Sequence, residues 1–296
     1  MSAVDPTVAL DVELGAEAAG VSRRRRRWPP ISVLLSFVLL AVLVVWAIAG
    51  PSLAPHDPAL QDLKHALQPP GDGHLLGTDQ LGRDVLSRVM AGARTAFVGP
   101  LVIAVGAALI GSFFGLLAGY RGGRTDAAVM RVVDLIWSLP GLLVVIVIAG
   151  ILGGGYTLGV TLLMVLSAPS DTRLIRAATL EQRPRPYVEA AEALGLSGRR
   201  VMLRHIWPNV LPVIVANSFL TFAFSLVGLA GLSYIGIGVD PSTPDWGRML
   251  SDGRGLIWDN AWTAIAPAVM IMVTALSMNL IGDWAFEAMS DRGRRR

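Results

Sequence analysis

The chain has 296 residues, 53% of them hydrophobic and only 16% charged, with a mean hydropathy of +0.57; soluble domains carry about a quarter charged residues, so the shortage of charge points to lipid as the solvent. The absence of cysteine excludes disulfides, thiolate metal sites and a cysteine nucleophile. The net charge of +3 and pI near 9.8 would suit nucleic acid, unless the basic residues gather at the ends of membrane spans.

In chain order, residues 1–30 read as a disordered cytoplasmic tail, polar and mixed in charge, with five consecutive arginines at 23–27. Ile31 to Ala49 then runs 19 residues without a charge, enough to cross a hydrocarbon core of about 30 Å. Arginines just before such a span hold its N-terminus in the cytoplasm. The run exceeds a signal-peptide core of about 7–15 residues, so 31–50 is expected to be a retained anchor. Residues 51–94, dense in Pro, Gly and Asp, predict an external loop. Near its end Leu81, Val85, Leu86 and Val89 share one helical face, with Arg83, Asp84, Ser87 and Arg88 off it. That pattern predicts a short amphipathic helix lying along the membrane surface.

Residues 95–286 hold five more expected spans. The second, about Ala96 to Tyr120, is rich in Gly and Ala, which allow close helix approach. The third, from Asp126 to about Leu152, has Arg131 and Asp134 three apart on one face, spaced to pair, and Pro140 in mid-run, which predicts a kink. The fourth, about Thr157 to Ala178, meets Pro169, Asp171, Arg173 and Arg176 near its end. The fifth and sixth, about Val210 to Val239 and Trp262 to Phe286, carry Asn217, Asn279 and Asp283, and residues 287–296 form a basic tail. Between spans four and five lies a charged island, Tyr187 to Pro212. Glu189 to Leu194 are strong helix formers, Gly195 and Gly198 supply a turn, and Arg199 to Ile206 make a basic helical piece closed by Pro208.

Six spans put both termini on one side. Nineteen of the 25 Lys and Arg fall in the segments expected inside and six in those expected outside, which favours cytoplasmic termini and removes the need for nucleic acid.

Catalytic constellations are missing from the pattern. His56, His65 and His74 sit in the external loop without metal-ligand spacing and read as solvated side chains; no metal site is expected. The single lysine, Lys64, lies in that loop, and Gly153–Gly155 has no lysine after it, so no ATP-binding P-loop exists in this chain. Asn217, Asn279 and Asp283 either line a polar path or bond between helices; for Asp283, reaching the cytoplasmic interface is a third reading.

Against this background Glu189-Ala190-Ala191, Gly195, His205-Ile206, Pro208 and Asn209 resemble the EAA loop of ABC-importer permeases. Further matches follow in order: His74-x-x-Gly77-Thr78-Asp79-x-x-Gly82-Arg83-Asp84, Gly119-Tyr120-x-Gly122-Gly123, Met130-Arg131-x-x-Asp134 with Pro140, Leu232-Ser233-Tyr234-x-Gly236-x-Gly238, Trp246-Gly247-x-Met249-Leu250 and Asn279-Leu280-x-Gly282-Asp283. Together, over about Pro51 to Asp291, they resemble the C-type permease subunit of oligopeptide and dipeptide importers, a pattern shared by nickel and glutathione importers. The resemblance implies an all-α, six-span, type I importer permease with a cytoplasmic coupling helix. It implies a second, B-type permease, one fused or two separate cytoplasmic ATPases that bind the ATP and Mg, an extracytoplasmic substrate-binding protein, and no catalysis in this chain. Glu189, Ala190, Ala191, Gly195, His205, Ile206, Pro208 and Asn209 would engage the ATPase. Gly77, Thr78, Asp79, Gly82, Arg83, Asp84 and Trp246 would meet the binding protein or the partner permease. The chain departs from the family pattern at Leu229, where a glutamate is common, at Pro169–Arg173 and at Phe286-Glu287. A secondary ion-coupled transporter is the alternative from another class; the coupling loop would then be unexplained, and no inverted repeat is visible.

Overall fold

A computed structural model describes residues 29–71 and 73–293, with side chains as far as Ser290. The arginine run at 23–27 and the arginines at 294–296, on which the expected orientation partly rests, lie outside the described residues. The described residues form α1 (Ile31–Leu53), α2 (Val85–Arg121), α3 (Gly123–Trp137), α4 (Gly141–Leu152), α5 (Tyr156–Gln182), α6 (Pro186–Ala193), α7 (Gly198–Val201), a π turn (Met202–Ile206), α8 (Trp207–Tyr234), α9 (Trp246–Gly253) and α10 (Trp262–Gly293), with no sheet.

Five helical stretches are long and apolar enough to cross a membrane, and α3 with α4 makes a sixth if that bent pair is one span. The bend at Pro140 is 74°, a break more than a kink. Proline removes a helical N–H, and the residue before it is pushed out of the helical region, so the helix stops at Ser138 and restarts at Gly141. The expected Arg131–Asp134 pair is replaced by one between helices: Arg173 Nη2 donates to Asp134 Oδ1 at 2.6 Å and the guanidinium lies over Trp137. Arg176 pairs with Asp126 in the same way, so two ion pairs fasten α3 to α5.

Helices α2 and α5 make the most extensive packing in the described chain. Gly111, Gly115 and Gly119, four apart on α2, face α5 so closely that a Cβ on Gly115 would lie 2.8 Å from the Thr172 carbonyl oxygen. Small residues at this spacing let backbones approach and gain dispersion contacts where lipid offers no hydrophobic drive. Toward the start of α2, Leu43 of α1, Val85 and Val89 of α2, Phe222 and Leu226 of α8, Trp246 and Met249 of α9 and Met278 of α10 form an apolar cluster. Leu229, where the family pattern has a glutamate, sits in an apolar cluster with Ile103, Val145, Val160 and Leu232, an environment matched to leucine.

The amphipathic surface helix expected near residues 81–89 is not a separate element. Val85 to Val89 are the first residues of the 37-residue α2. Its polar face points into the protein: Arg88 is 1% exposed, lies 3.7 Å from Asp79 and donates to the Pro58 carbonyl at 3.2 Å. Periodicity alone does not distinguish a polar face satisfied by water from one satisfied by buried partners.

Candidate coupling surface, polar cavity and loop lock

The island between α5 and α8 folds as a helix, a reversal and a second helix. Pro186 occupies the first turn of α6, where its missing N–H costs nothing. The helix ends in a Schellman motif: Gly195 N–H donates to Glu192 O at 2.9 Å and Leu196 N–H to Ala191 O at 3.2 Å. Gly195 has φ +73°, a left-handed conformation suited to glycine, and open space where a Cβ would sit. Val188 and Ala191 turn inward, packing with Val201, Ile206, Val210 and Ile214 against Leu116 of α2 and Ile175 of α5. Tyr120 at the end of α2 donates to Glu192 Oε1 at 2.8 Å.

The expected coupling residues therefore divide between two faces. Glu189, Ala190, Gly195, Pro208 and Asn209 are exposed, whereas Ala191 and Ile206 are buried and seat the element on the bundle. His205 is half-buried, and its carbonyl accepts a 2.7 Å bond from Asn209 Nδ2. Leu194, not singled out from the sequence, is 83% exposed at the tip of α6. An isolated exposed leucine is ordinary, but this one follows the exposed Glu189 and Ala190 on the same element.

Asn217, Asn279 and Asp283 come together. All three line one cavity of about 360 Å³ between α8 and α10, with Leu174, Val213, Ala216, Leu220, Gly282 and Phe286 completing the wall. Asn217 also reaches across to α5, donating to Asp171 Oδ1 at 2.8 Å, so it lines the cavity and bonds between helices at once. The Asn279 side-chain oxygen is buried without a hydrogen-bond partner among the described residues. Asp171, read from sequence only as part of a span's polar end, is 2% exposed and is the acid that orients Asn217.

The residues expected to meet an outside partner are instead buried within the chain. Gly77, Thr78, Asp79, Gly82, Arg83, Asp84 and Trp246 are all enclosed. Asp79 accepts from Leu81 N–H, Arg83 N–H and Arg83 Nε at 2.8, 3.0 and 2.6 Å. Thr78 Oγ1 bonds the His65 carbonyl and the Gln68 N–H. Trp246 Nε1 donates to Val89 O at 2.9 Å, and its ring rests on Gly92. Asn260, which no sequence pattern marks, closes this lock: its Nδ2 lies 3.0 Å from Leu76 O, 3.1 Å from Thr78 O and 3.4 Å from Gln68 O. An Asn260→Ala chain would leave buried carbonyls unpaired and is expected to lose about 1–3 kcal/mol, read as a lower unfolding temperature in detergent with unchanged helix content.

Asp84 caps α2, accepting from Ser87 N–H at 2.8 Å and Ser87 Oγ at 2.6 Å. Burial pushes its carboxyl up, but the bonds from Ser87 and His74 outweigh that and hold it below the ordinary value. Asp245, the cap of α9, goes the other way: burial raises it, and the N–H of Arg248 offsets this only in part. Of the loop histidines, His65 fits the solvated reading, half-exposed and bonded to Asp62 at 2.8 Å. His74 does not, being 20% exposed and 2.9 Å from Asp84, while His56 is 41% exposed with its ring 4.6 Å from that of His74.

The helical bundle has five or six candidate spans, a largely apolar pocket into which Asn217, Asn279 and Asp283 bring polar groups, and a helical loop with an exposed face. The family described as binding-protein-dependent transport system inner membrane component matches residues 111–295, and the N-terminal TM domain of oligopeptide transport permease C matches 32–70. The chain belongs to this permease family. It is 35% identical to the probable D,D-dipeptide transport system permease protein DdpC of Escherichia coli K12, over 86% of this chain and 85% of the relative. It is 36% identical to the di/tripeptide transport system permease protein DppC of Pseudomonas aeruginosa, over 87% and 86%. The oligopeptide permease OppC of Bacillus subtilis is 32% identical over 88% and 86%. Among solved structures, a chain of the MetNI methionine ABC transporter in an inward-facing form superposes with a TM-score of 0.55 at 20% identity, covering 69% of this chain and 96% of that one. This likeness concerns the fold.

Proposed function

We propose that the chain is the C-type transmembrane permease subunit of an ATP-driven importer for dipeptides or oligopeptides. It sits in the plasma membrane with both termini in the cytoplasm. A second, B-type permease completes the pathway, an extracytoplasmic substrate-binding protein delivers the peptide, and ATP with Mg is hydrolysed on one fused or two separate ATPase subunits. The observation that carries this reading is the division of α6. Val188 and Ala191 anchor it to α2 and α5, while Glu189, Ala190 and Leu194 are exposed and outside the apolar clusters of the described residues. An anchored helix with a free outer face can pass a partner's displacement into α8 through the π turn at Met202–Ile206, where unusual backbone hydrogen bonding accompanies many functional sites.

The relatives' names supply the peptide class, and the polar cavity at Asn217, Asn279 and Asp283 is this chain's share of the path. Reconstitution of the complete complex in proteoliposomes tests the proposal with labelled di- and oligopeptides. Uptake is expected to require the binding protein and ATP, and to survive collapse of ion gradients. Uptake that persists without ATP and stops with an ionophore would replace this reading by an ion-coupled carrier.

A further inference from the structure

We infer that His56, His74 and Asp84 form a binding site for a divalent transition cation of the zinc class, bridging the loop after α1 to the first turn of α2. One donor atom from each of the three lies within 4.8 Å of the other two. His74 Nδ1 is 2.9 Å from Asp84 Oδ1 and His56 Nδ1 is 3.8 Å from Asp84 Oδ2. Tetrahedral coordination with bonds of about 2.0–2.1 Å needs donors roughly 3.3–3.5 Å apart, so small side-chain rotations suffice.

Charge argues for the same occupant. The Asp84 side chain is 2% exposed, and among the described residues its ion-pair partners are the two imidazoles. The neighbouring guanidiniums of Arg83 and Arg88 are directed to Asp79. A cation held by both rings and the carboxylate supplies a charge opposite Asp84, each neutral ring keeping its proton on the nitrogen that does not bind the metal. Two imidazoles and one carboxylate suit zinc, nickel or cobalt better than calcium or magnesium. The Ser87 bonds to Asp84 Oδ2 orient the carboxylate from behind, as supporting partners do in metal sites. His56 is 41% exposed at its side chain and His74 20%, which leaves an open side for water ligands. The ligands are far apart in sequence, which is why their spacing shows no motif.

The test uses the full-length chain in its assembled complex, purified through a tag other than polyhistidine. Cobalt(II), zinc(II) and calcium(II) are titrated into the wild type and His56→Phe, which keeps an aromatic ring against His74 but removes a donor. One saturable site per copy is expected for cobalt, with visible absorption of low-symmetry coordination. His56→Phe should weaken cobalt and zinc at least tenfold, and acidification below about pH 6 should weaken them further. Zinc should raise the unfolding temperature of the wild type and leave His56→Phe unmoved. Equal affinity in the two proteins, no saturable cobalt site, or tighter calcium than zinc would overturn the assignment.

Discussion

A Gly115→Leu chain is expected to fail to accumulate as a folded membrane protein, while Gly115→Ala accumulates at reduced stability. The position lies at the centre of the α2–α5 contact, and the first added carbon already meets Thr172 O at 2.8 Å, Ile175 Cβ at 2.9 Å and Arg176 N at 3.0 Å. Two of these are backbone atoms on an adjacent helix, so no rotamer change relieves the clash. The helices must separate, and Gly111 and Gly119 would lose their contacts with Asp171 and Thr179 at the same time. Overpacking in a well-packed core costs about 1–3 kcal/mol for a few methylenes; losing several turns of close approach costs more, in a fold whose whole stability is of order 5–15 kcal/mol. The measurement is the monodisperse yield after detergent extraction with the thermal midpoint of what remains. Leu109, on α2 but 63% exposed, supplies the control: Leu109→Val should leave both unchanged. A Gly115→Leu protein with wild-type yield and midpoint would show that α2 and α5 do not pack this way.

The spans were legible because a lipid solvent writes a coarse signal: about 20 apolar residues interrupted by polar turns. Pro140 was legible as an interruption, and its 74° consequence was not, because the chain on either side decides how a broken helix is used. Polar faces are ambiguous in sequence where burial replaces water. Ser87 and Arg88 have the spacing of a wetted face, yet both are buried and bonded to the chain itself. Arg131 and Asp134 have the spacing of an ion pair, yet Asp134 pairs with Arg173, a residue 39 positions away. Local patterns report which groups could meet, and tertiary structure offers better partners. The cavity illustrates the favourable case. Asn217, Asn279 and Asp283 stand out as polar groups in apolar runs, and all three line one open pocket, Asn217 and Asn279 half-buried and Asp283 exposed. Asn260 and Leu194 carried no such contrast with their surroundings.

Reversing the charge at Glu189 is expected to abolish transport in a protein that still folds and inserts. Glu189 is exposed on α6 and makes no side-chain hydrogen bond or ion pair among the described residues. Surface substitutions of that kind change stability by about 0.5 kcal/mol or less, so Glu189→Lys should extract and unfold like the wild type. On the proposed coupling surface, however, the new ammonium faces whatever basic groups the carboxylate engages. Like charges brought together at an interface cost several kcal/mol, and each 1.4 kcal/mol is a tenfold loss of occupancy. Peptide uptake should fall at least tenfold, with basal ATP hydrolysis by the complex no longer stimulated by loaded binding protein. Two companions sharpen the reading. Leu194→Asp removes an exposed apolar knob without touching the packed face and should give the same loss. Ala191→Leu enlarges a residue packed against the bundle and should lower stability as well as uptake, since it acts on the seating of α6. Near-normal uptake by Glu189→Lys in an intact complex would remove α6 from the coupling path, whatever the family to which the chain belongs.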